Sequence, residues 1–208
     1  MNKIVRKLIA DCRAVTAIEL ALLIPILMII LVGFYESYIF VRSIATMERT
    51  AFTLSDLVSR RNLVCDASSA SDPNSLNTYL STVAPMIAQP LDIKANGEII
   101  VSAVVYAKTV GAAVNWQKIS SYTLNGAASQ VGVIGGAANL PTGIIPKNDG
   151  DTVIVTEIFY NFDWFPYLRI YVPSMPGRMT MSRSAYFRAR VNSLSILYDA
   201  TTNANCPS

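Results

Sequence analysis

An apolar run near the amino terminus constrains this chain more than any other feature. Residues 14–35 carry a single charge, Glu19, and as a helix these 22 residues would extend about 33 Å. A hydrocarbon core is about 30 Å thick, so the run predicts a membrane-spanning helix. Four basic side chains and one acid precede the run, whereas acids and bases are mixed after it. This asymmetry predicts a cytoplasmic amino terminus and an exported remainder.

A cleaved secretory signal peptide has a similar layout, with a basic segment followed by an apolar one. The apolar run here is longer than the usual length of about 7–15 residues. Bulky Phe34 and Tyr35 follow Gly33, where the small residues of a cleavage site would stand. These features favour a retained membrane anchor.

The composition excludes several kinds of site. The chain has no histidine, which rules out Ser-His-Asp and Cys-His catalysis and histidine-ligated metals. From residue 14 onward bases and acids are equal in number, so no basic surface for nucleic acid is expected. A serine–lysine hydrolase stays open, with Lys94, Lys108 and Lys118 available, although no spacing selects a pair.

Glu19 and Pro25 are the unusual residues of the apolar run. An acid at the centre of a membrane helix costs about 2.5–3.5 kcal/mol, so Glu19 has either a partner and a function or a position at the headgroup boundary. Pro25 removes one helix hydrogen bond, which either produces an ordinary kink or loosens the helix for movement out of lipid.

The segment RAVTAIELALLIPILMIILVGFYE resembles the processing and assembly segment of type IV pilin-like proteins, specifically the TadE/TadF-like minor pilins of the tight-adherence (Tad) pilus. In that family a prepilin peptidase cuts after a small residue, usually Gly, and the fifth residue of the mature chain is Glu. Here Ala14 takes the place of Gly, and a cut before Val15 makes Glu19 the fifth residue. Pro25 and the later Gly33-x-x-Glu36 also look like this family's segment.

The resemblance implies a minor pilin or pseudopilin that assembles or initiates a Tad-type (type IVb-like) adhesive pilus, with no enzymatic activity and no cofactor. Its implied partners are other minor and major pilins, the prepilin peptidase, the inner-membrane assembly platform and membrane lipid. Glu19 would neutralise the new α-ammonium of Val15 on a neighbouring subunit. The implied location is the inner membrane as a single-pass protein, with incorporation in a surface pilus. The competing hypothesis is a signal-anchored periplasmic domain that binds a ligand.

Removal of the leader would also remove Cys12 and leave Cys65 and Cys206. In an oxidising periplasm these two cysteines are expected to form a disulfide that ties the end of the stalk to the carboxy terminus. Two free thiols are the alternative.

The expected fold is α+β, with a long transmembrane and stalk helix followed by a small antiparallel sheet, as in pilins. The predicted boundaries are a leader at 1–14, the helix at 15–61 and an exported domain at 62–208. Beyond the membrane an apolar heptad seam predicts packing on the protein's own domain or on partner helices, and Arg60-Arg61 mark the helix end. The seam consists of Ile44, Met47, Ala51, Leu54 and Val58.

A polar loop from Cys65 and a second helix are expected next. Asp72 and Pro73 suggest the start of that helix, and Pro85 its end. Its apolar face would contain Leu76, Tyr79, Leu80 and Val83.

About four antiparallel strands are expected after residue 91, with turns at Asn96-Gly97 and Asp149-Gly150. An irregular connection is expected at 125–146, and its glycines at 132–139 indicate a flexible loop and no phosphate-binding motif. The acids at 147–151 fit a hairpin turn better than a calcium loop. The segment NFDWFPYLRIYVP is rich in aromatics, which form either an interaction surface or part of the core. These aromatics are Phe162, Trp164, Phe165, Tyr167 and Tyr171.

Overall fold

The structure, a computed structural model, describes residues 12–66, 75–145, 148–191, 194 and 196–199. They belong to two compact units. The amino-terminal unit contains the chain up to Val41 together with Asp163–Gly177, and the sheet unit contains Arg42–Phe162 and the chain from Arg178 onward. The predicted domain boundaries at residues 14 and 61 stay predictions.

Helix α1, Cys12–Ser59, is continuous through Pro25 and ends just before the predicted Arg60-Arg61. All side chains from Thr16 to Leu31 are exposed. The helix is long and apolar enough to cross a membrane, with a mean hydropathy of 2.7 in its most apolar window. A membrane anchor and a signal sequence both have this character.

The carboxy-terminal part of α1 packs inside the sheet unit. Met47, Ala51, Leu54 and Val58 are completely buried, and Ile44 is half-buried. The four completely buried residues share one apolar cluster with residues of the sheet, among them Ile99 and Ile158. The heptad seam therefore packs on the protein's own domain, which was one of the two expected alternatives.

The sheet unit contains a four-stranded sheet whose spatial order is β3-β2-β4-β5. Its strands are β2 (Gly97–Ala107), β3 (Gly111–Ile119), β4 (Thr152–Asp163) and β5 (Arg178–Arg188). Strand β2 pairs antiparallel with both β3 and β4, with Ser102 opposite Gln117 on one side and Val155 on the other. The long helix followed by this small antiparallel sheet makes the fold α+β.

The central strands β2 and β4 are buried on both faces. One face joins the cluster that contains the α1 seam. The other face contributes Val104 and Val155 to a second apolar cluster, which Val131 and Leu140 of the irregular connection complete. The connection thus covers the sheet face opposite the helix.

Two buried carboxylates on that second face hold the irregular connection. Glu157 accepts a hydrogen bond from the backbone N–H of Gln130 (2.8 Å) and one from the hydroxyl of Ser129. Glu98 accepts one from the N–H of Leu124 (2.6 Å). The glycine-rich loop also bonds to the edge of β3, where the N–H of Gly135 donates to the carbonyl of Val114 (2.7 Å). The loop predicted as flexible is therefore tied to the sheet along its length.

The second helix begins at Leu76, four residues after Asp72, and both Asp72 and Pro73 lie outside the described residues. It consists of α2 (Leu76–Thr78), a π-helical turn (Tyr79–Val83) and α3 (Ala84–Ile87). The hydroxyl of Ser75 caps it by accepting from the N–H of Asn77 (3.2 Å). Its predicted face is buried at Leu76, Tyr79 and Leu80 and half-buried at Val83. The helix continues past Pro85 because the π-helical turn comes just before this proline, which has no backbone N–H to donate.

The predicted turn at Asn96-Gly97 is wrong. Asn96 ends a one-turn helix, α4 (Ile93–Asn96), and Gly97 begins β2 in an extended conformation. Glycine is needed there because a Cβ would lie 2.8 Å from the carbonyl oxygen of Phe159 on β4. The turn at Asp149-Gly150 is confirmed, and Gly150 has a positive φ of 80°. This turn closes no hairpin, because the irregular connection precedes it and β4 pairs with β2 and not with β3.

A short parallel pair, β1 (Val64–Asp66) with β6 (Leu197–Asp199), was not predicted from the sequence. The polar loop expected from Cys65 therefore starts after Asp66 at the earliest. Cys65 is fully buried and disulfide-bonded. Cys206 lies outside the described residues, so the expected pairing of the two cysteines stays a prediction.

Candidate functional site

One face of α1 in the amino-terminal unit carries Gly33, Glu36 and Phe40, which are spaced three and four residues apart. This spacing places them on the same side of a helix. The aromatic segment Asp163–Gly177 packs against that side. Gly33 lies beside Leu168, whose Cδ1 atom would be 3.8 Å from a Cβ at position 33, and Phe40 packs on Trp164 with ring centroids 4.3 Å apart.

The carboxylate of Glu36 fixes the aromatic segment. Its Oε1 atom accepts hydrogen bonds from the backbone N–H groups of Tyr167 (2.7 Å) and Leu168 (3.1 Å). These N–H groups stand at the start of α5 (Leu168–Tyr171), where a helical turn has unsatisfied donors. Glu36 is only 4% exposed, and its Oε2 atom has no hydrogen-bond partner among the described residues. A buried carboxylate outside the long apolar run therefore docks the segment on α1.

Arg169 holds the two ends of the segment together. Its guanidinium forms an ion pair with Asp163 (2.5 Å) and donates to the carbonyls of Trp164 and Pro176, the latter at 3.1 Å. Phe165 adopts a positive φ of 50° at the turn before Pro166. The single positive charge of the segment is thus neutralised within the segment itself.

The outer surface of the segment is apolar. Ile170, Tyr171 and Tyr167 are 75%, 68% and 53% exposed, whereas neighbouring Leu168 is buried. The three exposed side chains and the α1 residues Leu31, Val32 and Tyr35 line one open cavity of about 290 Å³. The aromatics therefore divide between the two expected roles, since Trp164 packs inward and Tyr167 and Tyr171 face outward.

The structure places the predicted processing and assembly residues in the first turns of α1. Ala14 and Val15 are helical, and Glu19 and Pro25 are exposed side chains on the apolar surface. These residues are not brought together with the docked aromatic segment, which meets α1 from Leu31 onward. Their predicted roles in cleavage and assembly stay predictions.

The sheet unit holds a second open cavity, of about 500 Å³, beside the turn at 148–151. The Arg188 guanidinium hydrogen-bonds the carboxyl of Asp151 (2.5 Å) and lowers the pKa of that carboxyl below its ordinary value of 3.8. Asp149 accepts from the N–H of Lys108 (3.0 Å), while Lys147 lies outside the described residues. The acids here bind protein groups, as expected of a turn.

No cluster of metal-binding side chains occurs within the described ranges. Lys118, one of the lysines considered for catalysis, forms an ion pair with Asp66 (2.6 Å). Burial raises the pKa of Tyr122 above its usual range, and the Tyr122 hydroxyl donates to the carbonyl of Leu80 (2.8 Å). These contacts stabilise the fold.

No family model, no curated protein and no solved structure matches this chain. The geometry of its own residues therefore carries the functional argument.

Glu36 is the residue of this candidate site whose contacts the sequence does not predict. In the sequence its position three residues after Gly33 indicates only the resemblance to the pilin-like segment. The available signal was an acid just after the apolar run, on the same helix face as Gly33 and Phe40.

Proposed function

We propose that this chain is a membrane-anchored structural subunit, a minor pilin or pseudopilin that assembles or initiates a Tad-type adhesive pilus. The observation that carries the proposal is the division of α1. The helix exposes every side chain from Thr16 to Leu31, whereas from Met47 to Val58 the same helix packs on a four-stranded antiparallel sheet. Pilin-like proteins have this plan, in which a free apolar half serves both the membrane and the filament.

Glu19 gives the exposed half of α1 a specific chemistry. It is the single charge in residues 14–35, and it lies on an apolar surface that lipid or neighbouring subunits would cover. A carboxylate in that setting needs a cation. Cleavage before Val15 would supply one as an α-ammonium, four residues away in sequence and available on an adjacent subunit. We assign the chain no catalytic step.

The proposed partners are those that the resemblance to Tad-type minor pilins implies. They are other minor and major pilins, the prepilin peptidase, the inner-membrane assembly platform and membrane lipid. The amino terminus is proposed to lie in the cytoplasm, and the sheet unit in the periplasm or at the cell surface.

The experiment compares Glu19→Leu with Glu19→Asp in cells that contain the pilus machinery. The first variant removes the carboxylate and the second keeps it. Recovery of Glu19→Leu in sheared surface filaments should fall about tenfold or more, because an unpaired buried charge costs about 3–5 kcal/mol. Glu19→Asp should retain more of that recovery, and both variants should remain in the membrane fraction with their leaders cleaved.

Normal recovery of Glu19→Leu in filaments would refute the assembly role of Glu19. Equal loss of both variants from the membrane would indicate that Glu19 acts in membrane insertion. That result would also refute a role of Glu19 in assembly alone. A signal-anchored ligand-binding domain, the competing hypothesis, predicts no effect of either variant on filaments.

A further inference from the structure

The aromatic segment has a cluster of exposed apolar side chains. Within six residues, Tyr167, Ile170, Tyr171 and Val172 are all exposed, and Leu168 is the one buried apolar side chain. An exposed cluster of this kind marks a surface that is covered in the working protein. The question is what covers it.

The position of the cluster along α1 answers that question. Residues 14–35 extend about 33 Å as a helix, so Tyr35 stands where a hydrocarbon core of about 30 Å ends. Leu31 and Val32 belong to the last turn inside that core. Leu31, Val32 and Tyr35 line the same cavity as the exposed residues Tyr167, Ile170 and Tyr171. The exposed cluster therefore lies at the level of the membrane boundary.

The chemistry of the cluster also fits that level. Tyrosine is enriched at membrane interfaces, where the ring is apolar and the hydroxyl is hydrated. The charge of Arg169 is neutralised by Asp163, so no free charge opposes contact with the acyl region. The two hydrogen bonds from Glu36 keep the segment in place against α1.

We propose that Tyr167, Ile170 and Tyr171 form an interfacial patch that inserts into the headgroup and upper acyl region of the membrane that α1 spans. This inference rests on the membrane anchoring of the proposed function. The patch gives the chain a second attachment to the lipid surface, beside the helix itself. It limits the rotation and tilt of α1, because a segment docked on one side of the helix must stay at the interface.

The test uses the full chain in phosphatidylcholine–phosphatidylglycerol vesicles that carry a quencher either near the headgroup or deep in the acyl chain. The probe is Tyr171→Trp, with Ile170→Trp as a second probe. The matched control is Val133→Trp, because Val133 is equally exposed at 72% but belongs to the sheet unit. Emission of the natural Trp116 and Trp164 is subtracted by means of the wild-type chain.

Both probes should be quenched about twofold or more strongly by the shallow quencher than by the deep one, as for groups buried about 5–10 Å into the interface. The control should show no such quenching. If the probes are quenched no more than the control although the chain floats with the vesicles, the patch does not bind lipid and the inference fails while anchoring stands.

Two further outcomes would also overturn the inference. Quenching that falls as the density of protein in the vesicles rises would mean that a second copy of the chain covers the patch. Failure of the chain to float with the vesicles would refute the membrane anchoring of the proposed function as well.

Discussion

Leu54 provides the sharpest test of how α1 is held in the sheet unit. Its side chain is completely buried in the cluster that joins the α1 seam to the sheet. Leu54→Ala removes three carbon atoms, which costs about 2.4 kcal/mol at about 0.8 kcal/mol for each buried methylene. The remaining cavity adds to this cost, so we expect the free energy of unfolding to fall by about 3–4 kcal/mol.

The assay is thermal unfolding of the full chain in a mild detergent, followed by near-ultraviolet circular dichroism. A loss of about 3 kcal/mol should lower the Tm by about 6–12 °C in a chain of this size. Leu22→Ala is the matched control, since it makes the same change on the exposed half of the same helix, where Leu22 is 68% exposed. The control should change the stability by less than about 0.5 kcal/mol.

Equal Tm values for Leu54→Ala and Leu22→Ala would refute the packing argument. A Tm for Leu54→Ala that depends on protein concentration would also contradict it, because the seam would then pack on partner helices.

Three other expectations follow from individual contacts. Gly97→Ala should destabilise the chain by about 1–3 kcal/mol in denaturant titrations, because the new Cβ would lie 2.8 Å from the Phe159 carbonyl oxygen. Gly143→Ala is the control and should be neutral, because a Cβ there has nothing within 4 Å. Equal effects of the two substitutions would contradict the close approach of β2 and β4 at Gly97. The folded protein holds the pKa of Asp151 below 3.8, so the stability from this group is present above that pH and is lost as the pH falls through the folded pKa. Unfolding measured between about pH 2.5 and 5 should therefore depend less on pH in Asp151→Asn, and an unchanged slope would exclude the contribution of this carboxyl. Non-reducing peptide mapping should find Cys65 joined to Cys206, and free alkylation of both thiols would disprove that pairing.

The sequence predicted those elements whose pattern is local and periodic. The run at 14–35 and the seam from Ile44 to Val58 both follow the helical repeat, so one continuous helix was expected and is found. The strands were predicted from their β-branched content. The second helix continues past Pro85 because a π-helical turn accommodates the missing N–H of the proline. Helix propensities of single residues do not predict such a turn.

Other features depend on contacts between distant parts of the chain. The parallel pairing of Cys65 with Tyr198 joins residues that no local pattern connects. Gly97 resembled a turn glycine, but its function is to allow β4 to approach. The docking of Tyr167 by Glu36 spans 131 positions in sequence, so only the folded chain shows why an acid stands beside the apolar run.

The mature amino terminus is the measurement that tests the central claim most directly. The intact mass and amino-terminal sequence of the chain, purified from cells that contain a prepilin peptidase, should show a protein that begins at Val15. A membrane-bound chain that retains Met1–Arg13 in those cells would contradict the pilin-like account.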